Sequence, residues 1–200
     1  MRKRKSFLIV LLIATGGLTS CNKHASSEPL RQEISSSGNN EKTEIQIEKL
    51  NEKDALALRN KAANHYFNVL DGGTDRTAQQ KSTPLTEDYF YNFCDDLDTI
   101  DKLTAYLEEV FTKEITADFI KTSDFKMINN KLSYPSLGWG SLSDWEKAAV
   151  KLKADEGNVK TFEFTVPSVE ESMNDETVSL EYKYVPQKGW RVASRPSKLM

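Results

Sequence analysis

The sequence predicts an α+β fold in which N-terminal helices pack on a C-terminal antiparallel β-sheet meander, and three observations predict it. Apolar residues recur at helical spacing in three segments between Leu50 and Lys121. After Ser123 the period shortens to simple alternation. The segments that alternate are joined by turns too short for parallel crossovers, so neighbouring strands must run antiparallel with one wet face. Helices first and strands second is the α+β order.

The first helix is predicted in "LNEKDALALRNKAANHYFNVLDGG", with Asn51 as cap and Asp54 three places on. Leu56, Ala63, Phe67 and Leu70 mark its buried face, and Gly72 and Gly73 stop it. A polar passage from Thr74 to Pro84 leads to "EDYFYNF", too aromatic for a loop and read as a short strand. A second helix, capped by Thr99, carries Leu103, Tyr106, Leu107, Val110 and Phe111 on one face. A third, over Lys113–Lys121, presents Ile115, Phe119 and Ile120. Next, "FKMI" and "KLSY" flank Asn129-Asn130, residues that tolerate the positive backbone angles of a hairpin turn.

Beyond the stretch "YPSLGWGSLSDW", a strand is expected to start near Trp145, with Ala148, Val150 and Leu152 alternating with lysines. Phe162, Phe164 and Val166 form the next, then Val178, Leu180, Tyr182 and Tyr184, and finally Trp190 with Val192. Turns at Gly157-Asn158 and Lys188-Gly189 connect them. No internal repeat is present.

The N-terminus concerns location rather than fold. Arg2, Lys3, Arg4 and Lys5 precede an apolar run from Phe7 to Ala14 and then small residues, the order of an export signal. That run is much shorter than the roughly 20 residues that cross a bilayer. The segment ends in "LTSC", which resembles the lipobox of bacterial lipoproteins. The resemblance implies cleavage after Ser20 and acylation of Cys21, with two or three acyl chains making a stable tether. The other reading is an ordinary secreted protein.

Three regions follow: 1–20 as lipoprotein signal peptide, 21–49 as flexible tether, and 50–200 as one domain long enough to build its own core. The tether, rich in Ser, Asn, Glu and Lys, would span about 25–30 Å as a random coil. The expected location is the outer face of the cytoplasmic membrane, facing the cell wall. Removing four cations with residues 1–20 takes the formal charge from −3 to about −7. Such a surface argues against nucleic acid and against adhesion to anionic lipid beyond the anchor itself.

The chemistry-bearing residues are sparse. Two cysteines and two histidines occur in the chain, and with Cys21 lipidated, Cys94 has no disulfide partner. A Cys94–His65 dyad is formally possible, but "NFCDD" sets carboxylates beside the thiol, which raises its pKa. Zinc lacks ligands. Asp95, Asp96, Asp98 and Asp101 lack the spacing of a calcium loop and are read as acids loading the N-terminus of the following helix. No pair among the 30 acids is singled out for glycoside hydrolysis. The expectation is a binding protein, not an enzyme, with no metal and no cofactor.

The motifs "NKAANHYFNVLDGG", "LTAYLEEVFT", "LSDWEKAAVKLK", "FEFTVP" and "KGWRV" occur in this order over about residues 50–196. In that order they resemble the IseA DL-endopeptidase inhibitor family of Gram-positive bacteria. The resemblance implies a small α+β inhibitor, monomeric here by expectation, whose partner is a peptidoglycan endopeptidase of the NlpC cysteine-peptidase type, an autolysin. It further implies that a loop between strands enters the enzyme's active-site groove. The position here that matches is Pro135, Ser136, Leu137, Gly138, Trp139, Gly140, Ser141, Leu142 and Ser143. This chain departs from the family pattern in its lipobox and in the bulky Leu137 and Trp139 among the small loop residues.

Trp139 has two readings: an exposed interface anchor between two permissive glycines, or a lid folded back on the sheet. Its mostly small and polar neighbours favour the anchor. Trp145 is read as core. A rival function is a small-molecule or cell-wall-fragment binding module, which needs an uncovered apolar pocket.

Overall fold

The computed structural model describes residues 47–75, 89–136, 138, 140–170 and 172–200. The export signal, Cys21 and most of the tether lie outside the described residues. Glu48 is already attached to the domain, because the Trp190 indole donates to its carbonyl at 2.7 Å.

Three α-helices are described: α1 (Glu52–Leu70), α2 (Ile100–Glu108) and α3 (Lys113–Thr122). Each begins on the side-chain oxygen of its cap. Asn51 accepts from the Asp54 amide, Thr99 from Lys102 and Thr112 from Ile115, filling amides that have no partner within the helix. The acids expected to load α2 disperse instead. Only Asp101 sits in its first turn, while Asp96 accepts from Thr74, Asp98 pairs with Lys102 at 2.6 Å and Asp95 with Lys131 at 3.5 Å.

Helix α1 ends as its glycines dictate. The Gly73 amide reaches back to Asn68 O and that of Gly72 to Val69 O, the paired closing bonds of a Schellman turn. Gly72 holds φ +78°, and a Cβ there would overlap the Tyr134 ring. The turn and the close approach require glycine together. Gly72→Ala is therefore expected to lower stability by about 2 kcal/mol, from the left-handed backbone and the crowding of Tyr134. Chemical denaturation checks this, and an unchanged midpoint would show that the turn relaxes freely.

The strands form two sheets, the expected meander and a three-stranded sheet that the sequence reading did not assemble. β1 (Phe90–Asn92), β2 (Lys126–Ile128) and β3 (Lys131–Pro135) make a three-stranded antiparallel sheet in the order β1-β3-β2. Asn129 and Asn130 both take positive φ at its hairpin, as their side chains allow. β4 (Ala149–Asp155), β5 (Val159–Val166), β6 (Glu176–Val185) and β7 (Gly189–Val192) form the expected meander in sequence order. A register shift between Leu152 and Ala154 marks a bulge in β4, whose edge carries Lys151 and Lys153. The opposite edge is covered. Val192 bonds in both directions to the α2–α3 connection, to Val110 O and from the Thr112 amide.

Trp145 is buried as expected, but it does not begin a strand: Trp145–Lys147 form a 3₁₀ turn and β4 starts at Ala149. Helix α1 joins the two sheets. Near its start, the Tyr182 hydroxyl of β6 donates to Ala55 O at 2.9 Å. Near its end, the Tyr134 hydroxyl of β3 donates to Asp71 O at 3.2 Å.

The buried face of α1 runs through Ala55, Arg59, Ala62, Tyr66 and Val69, rotated from the expected one. Ala63 is buried, whereas Leu56, Phe67 and Leu70 are only partly so. Arg59 makes the difference. Its guanidinium lies 3.4 Å over the Trp145 ring, bonds to Leu199 O, and is lowered by burial to a pKa of about 10. A charged residue that hydropathy turns outward is thus stacked inside the core.

Candidate functional site

The loop from Pro135 to Ser143 is the crossover from the three-stranded sheet to the four-stranded one, a position set by what lies at its two ends. Pro135 closes β3 opposite Phe90, and the Ser136 amide donates to Tyr89 O at 3.0 Å. At the far end Trp145 plugs into the core, its ring 5.8 Å from that of Phe164. Leu137 and Trp139 lie outside the described residues. Gly138 and Gly140 are exposed, hold no positive φ, and a Cβ on either would meet nothing within 4 Å. Packing does not demand glycine at these positions.

The returning half of the loop is braced. Ser141 Oγ accepts from the Ser143 amide at 3.1 Å, and the Ser143 hydroxyl donates to Glu176 at 3.1 Å. Ser143 also pairs with Ser168 in an antiparallel bridge, with Val169 N donating to Leu142 O and Asp144 N to Pro167 O, both at 2.7 Å. The brace is the connection between β5 and β6, whose part the sequence reading missed. Its signal was present in "PSVEESMNDE", where Val169 and Met173 interrupt an otherwise polar turn. The surroundings are acidic, with Glu170, Asp175 and Glu176 exposed. The hydrogen bond from Lys147 holds the Asp144 carboxyl below the usual carboxylate range.

At the base of the loop a cleft of about 520 Å³ opens between α1, α3, β3 and the C-terminal segment. Tyr66, Phe119, Phe125, Tyr134 and Pro135 line it, with Arg195 at its side 3.3 Å from Asp118.

Cys94 and His65 are engaged with different partners. The thiol faces Asp75 O at 3.5 Å and is pushed up by burial and then by Asp96, Asp75 and Asp95, which makes it a poor nucleophile. His65 stacks on Tyr106 with ring centroids 4.2 Å apart. Its Nδ1 lies 3.0 Å from Lys61 O and its Nε2 3.3 Å from Glu109. Among the described residues, no group of three or more His, Cys, Asp or Glu is placed to hold a metal ion.

The geometry defines an α+β domain in which a loop braced on its returning side crosses between two antiparallel sheets. The family is specific: residues 46–196 match the model of the IseA DL-endopeptidase inhibitor family, and the chain belongs to it. It is also 31% identical over 127 residues to "Uncharacterized protein YoeB" of Bacillus subtilis (strain 168), a match that covers 62% of this chain and 70% of that relative.

Proposed function

We propose that this protein is an exported lipoprotein, held by Cys21 on the outer face of the cytoplasmic membrane, that binds and inhibits NlpC-type peptidoglycan endopeptidases by inserting the Pro135–Ser143 loop into their active-site groove. Family membership supports an endopeptidase as partner. The observation that carries the loop reading is its construction: it connects two sheets, is tied at both ends, and leaves Leu142 48% exposed. Ends fixed before binding lower the entropy that such a segment loses on docking.

The reading is tested by adding the full-length chain, purified in mild detergent, to a purified NlpC-type endopeptidase digesting peptidoglycan. Dose-dependent loss of hydrolysis with formation of a one-to-one complex is expected. Undiminished hydrolysis across a panel of such enzymes would overturn the reading. The lipid anchor has its own test. Cys21→Ser should move the protein from the membrane fraction to the medium, since the acyl chains supply the membrane affinity. Retention at the membrane would remove Cys21 from that role.

The cleft of about 520 Å³ favours a second reading, a module for a small molecule or wall fragment, because its size and aromatic lining fall within the range of ligand pockets. Saturable binding of soluble peptidoglycan fragments, abolished by Phe119→Ala without loss of endopeptidase inhibition, would separate the cleft from the loop.

A further inference from the structure

We infer that Val169 and Met173, on the connection between β5 and β6, form a second binding arm that docks beside the inserted loop on an apolar, cation-rimmed surface of the same endopeptidase. The inference rests on the reading of the Pro135–Ser143 loop as the inhibitory element.

The geometry begins with the bridge between Ser143 and Ser168. In an antiparallel pair the next residues outward, Leu142 and Val169, lie opposite each other with side chains on one face, and the hydrogen bond from Val169 N to Leu142 O joins them directly. Such a cross-strand apolar pair normally covers a core. Here both residues stay open to solvent: Leu142 is 48% and Val169 59% exposed. Met173, 50% exposed, adds a further apolar side chain in the same connection, its backbone N–H donating to Glu170 O at 3.0 Å. These half-exposed side chains stand on a backbone that several hydrogen bonds hold in place.

The occupant follows from continuity and charge. The patch shares the backbone of the loop assigned to the peptidase groove, so any protein gripping one lies against the other. Glu170, Asp175 and Glu176, all exposed, add negative charge along the same stretch of chain as Val169 and Met173. A complementary surface is apolar at its centre and basic at its rim, the usual arrangement of a protein interface. Methionine suits such a contact because its unbranched thioether adapts to an irregular surface.

The test uses the full-length chain with Val169→Ser and Met173→Ser combined, assayed against the endopeptidase that the wild type inhibits. Inhibition should weaken by about 10-fold or more, the scale of losing contacts at a binding surface, with thermal unfolding unchanged because both side chains are exposed. Ile100→Ser, at an exposed apolar residue on α2, should leave inhibition as in the wild type. Wild-type inhibition by the double variant, while Trp139→Ala is impaired, would overturn the second arm and leave the inhibitory loop standing. A marked fall in thermal stability of the double variant would make the pair a fold element and overturn the arm as well. Failure of the wild type itself to inhibit would remove both readings together.

Discussion

Phe164→Ala is expected to lower stability by about 3–5 kcal/mol, the range for truncating a fully buried phenylalanine, and to reduce Tm by roughly 10–15 °C for a domain of this size. Phe164 lies in the interior strand β5, opposite Val150 of β4 and Val178 of β6, and is wholly buried. Its ring also meets Trp145, which in turn lies under Arg59 of α1. One side chain therefore links three strands, the end of the crossover loop and the first helix. A cavity here cannot collapse easily, because the hydrogen-bonded ladders on both sides hold the strands apart. Differential scanning calorimetry on the variant measures the effect, and a loss below about 1 kcal/mol would mean that neighbouring side chains refill the site. Because Trp145 anchors the far end of the Pro135–Ser143 loop, inhibition should fall in the same variant even where it remains folded.

The second large effect concerns binding. Trp139→Ala should weaken inhibition of a peptidoglycan endopeptidase by roughly 30-fold, the loss of about 2 kcal/mol that follows truncation of an interface anchor. A tryptophan offers wide contact area for little side-chain entropy, and in this loop it stands among small residues with nothing large beside it except Leu137 and Leu142. Under the anchor reading, thermal stability should stay within about 0.5 kcal/mol of wild type, the range for surface substitutions. Under the rival reading, a lid on the core, the same substitution costs about 3–5 kcal/mol in stability. Both quantities read on one variant separate these outcomes, and a large stability loss with unchanged inhibition would return the loop to a structural role.

The candidate site was legible in part. Pro135–Ser143 stands out because two glycines and a tryptophan interrupt a run of alternating strands. Its brace did not stand out, because the pairing of Ser143 with Ser168 joins residues that no local pattern connects. The exposed pair Leu142 and Val169 becomes visible only once that bridge is known. Leucine and valine in two separate polar stretches carry no mark of being neighbours.

The sequence by itself determined the elements and their order: the caps Asn51 and Thr99, the stop at Gly72-Gly73, the Asn129-Asn130 hairpin and the alternation of β4 to β7. These are properties of a few consecutive residues, fixed by backbone sterics and by hydrogen bonds that close within one turn. Only the tertiary structure decided that Phe90–Asn92 joins the hairpin in a separate sheet, that Trp145 lies in a 3₁₀ turn, and that α1 buries Arg59 while Leu56 and Phe67 stay at the margin. The physical reason is the same in each case. Which strand pairs with which, and which helix face turns inward, is set by contacts between residues far apart in the chain. There, shape and stacking on a partner such as Trp145 outweigh the polarity of the residue taken alone.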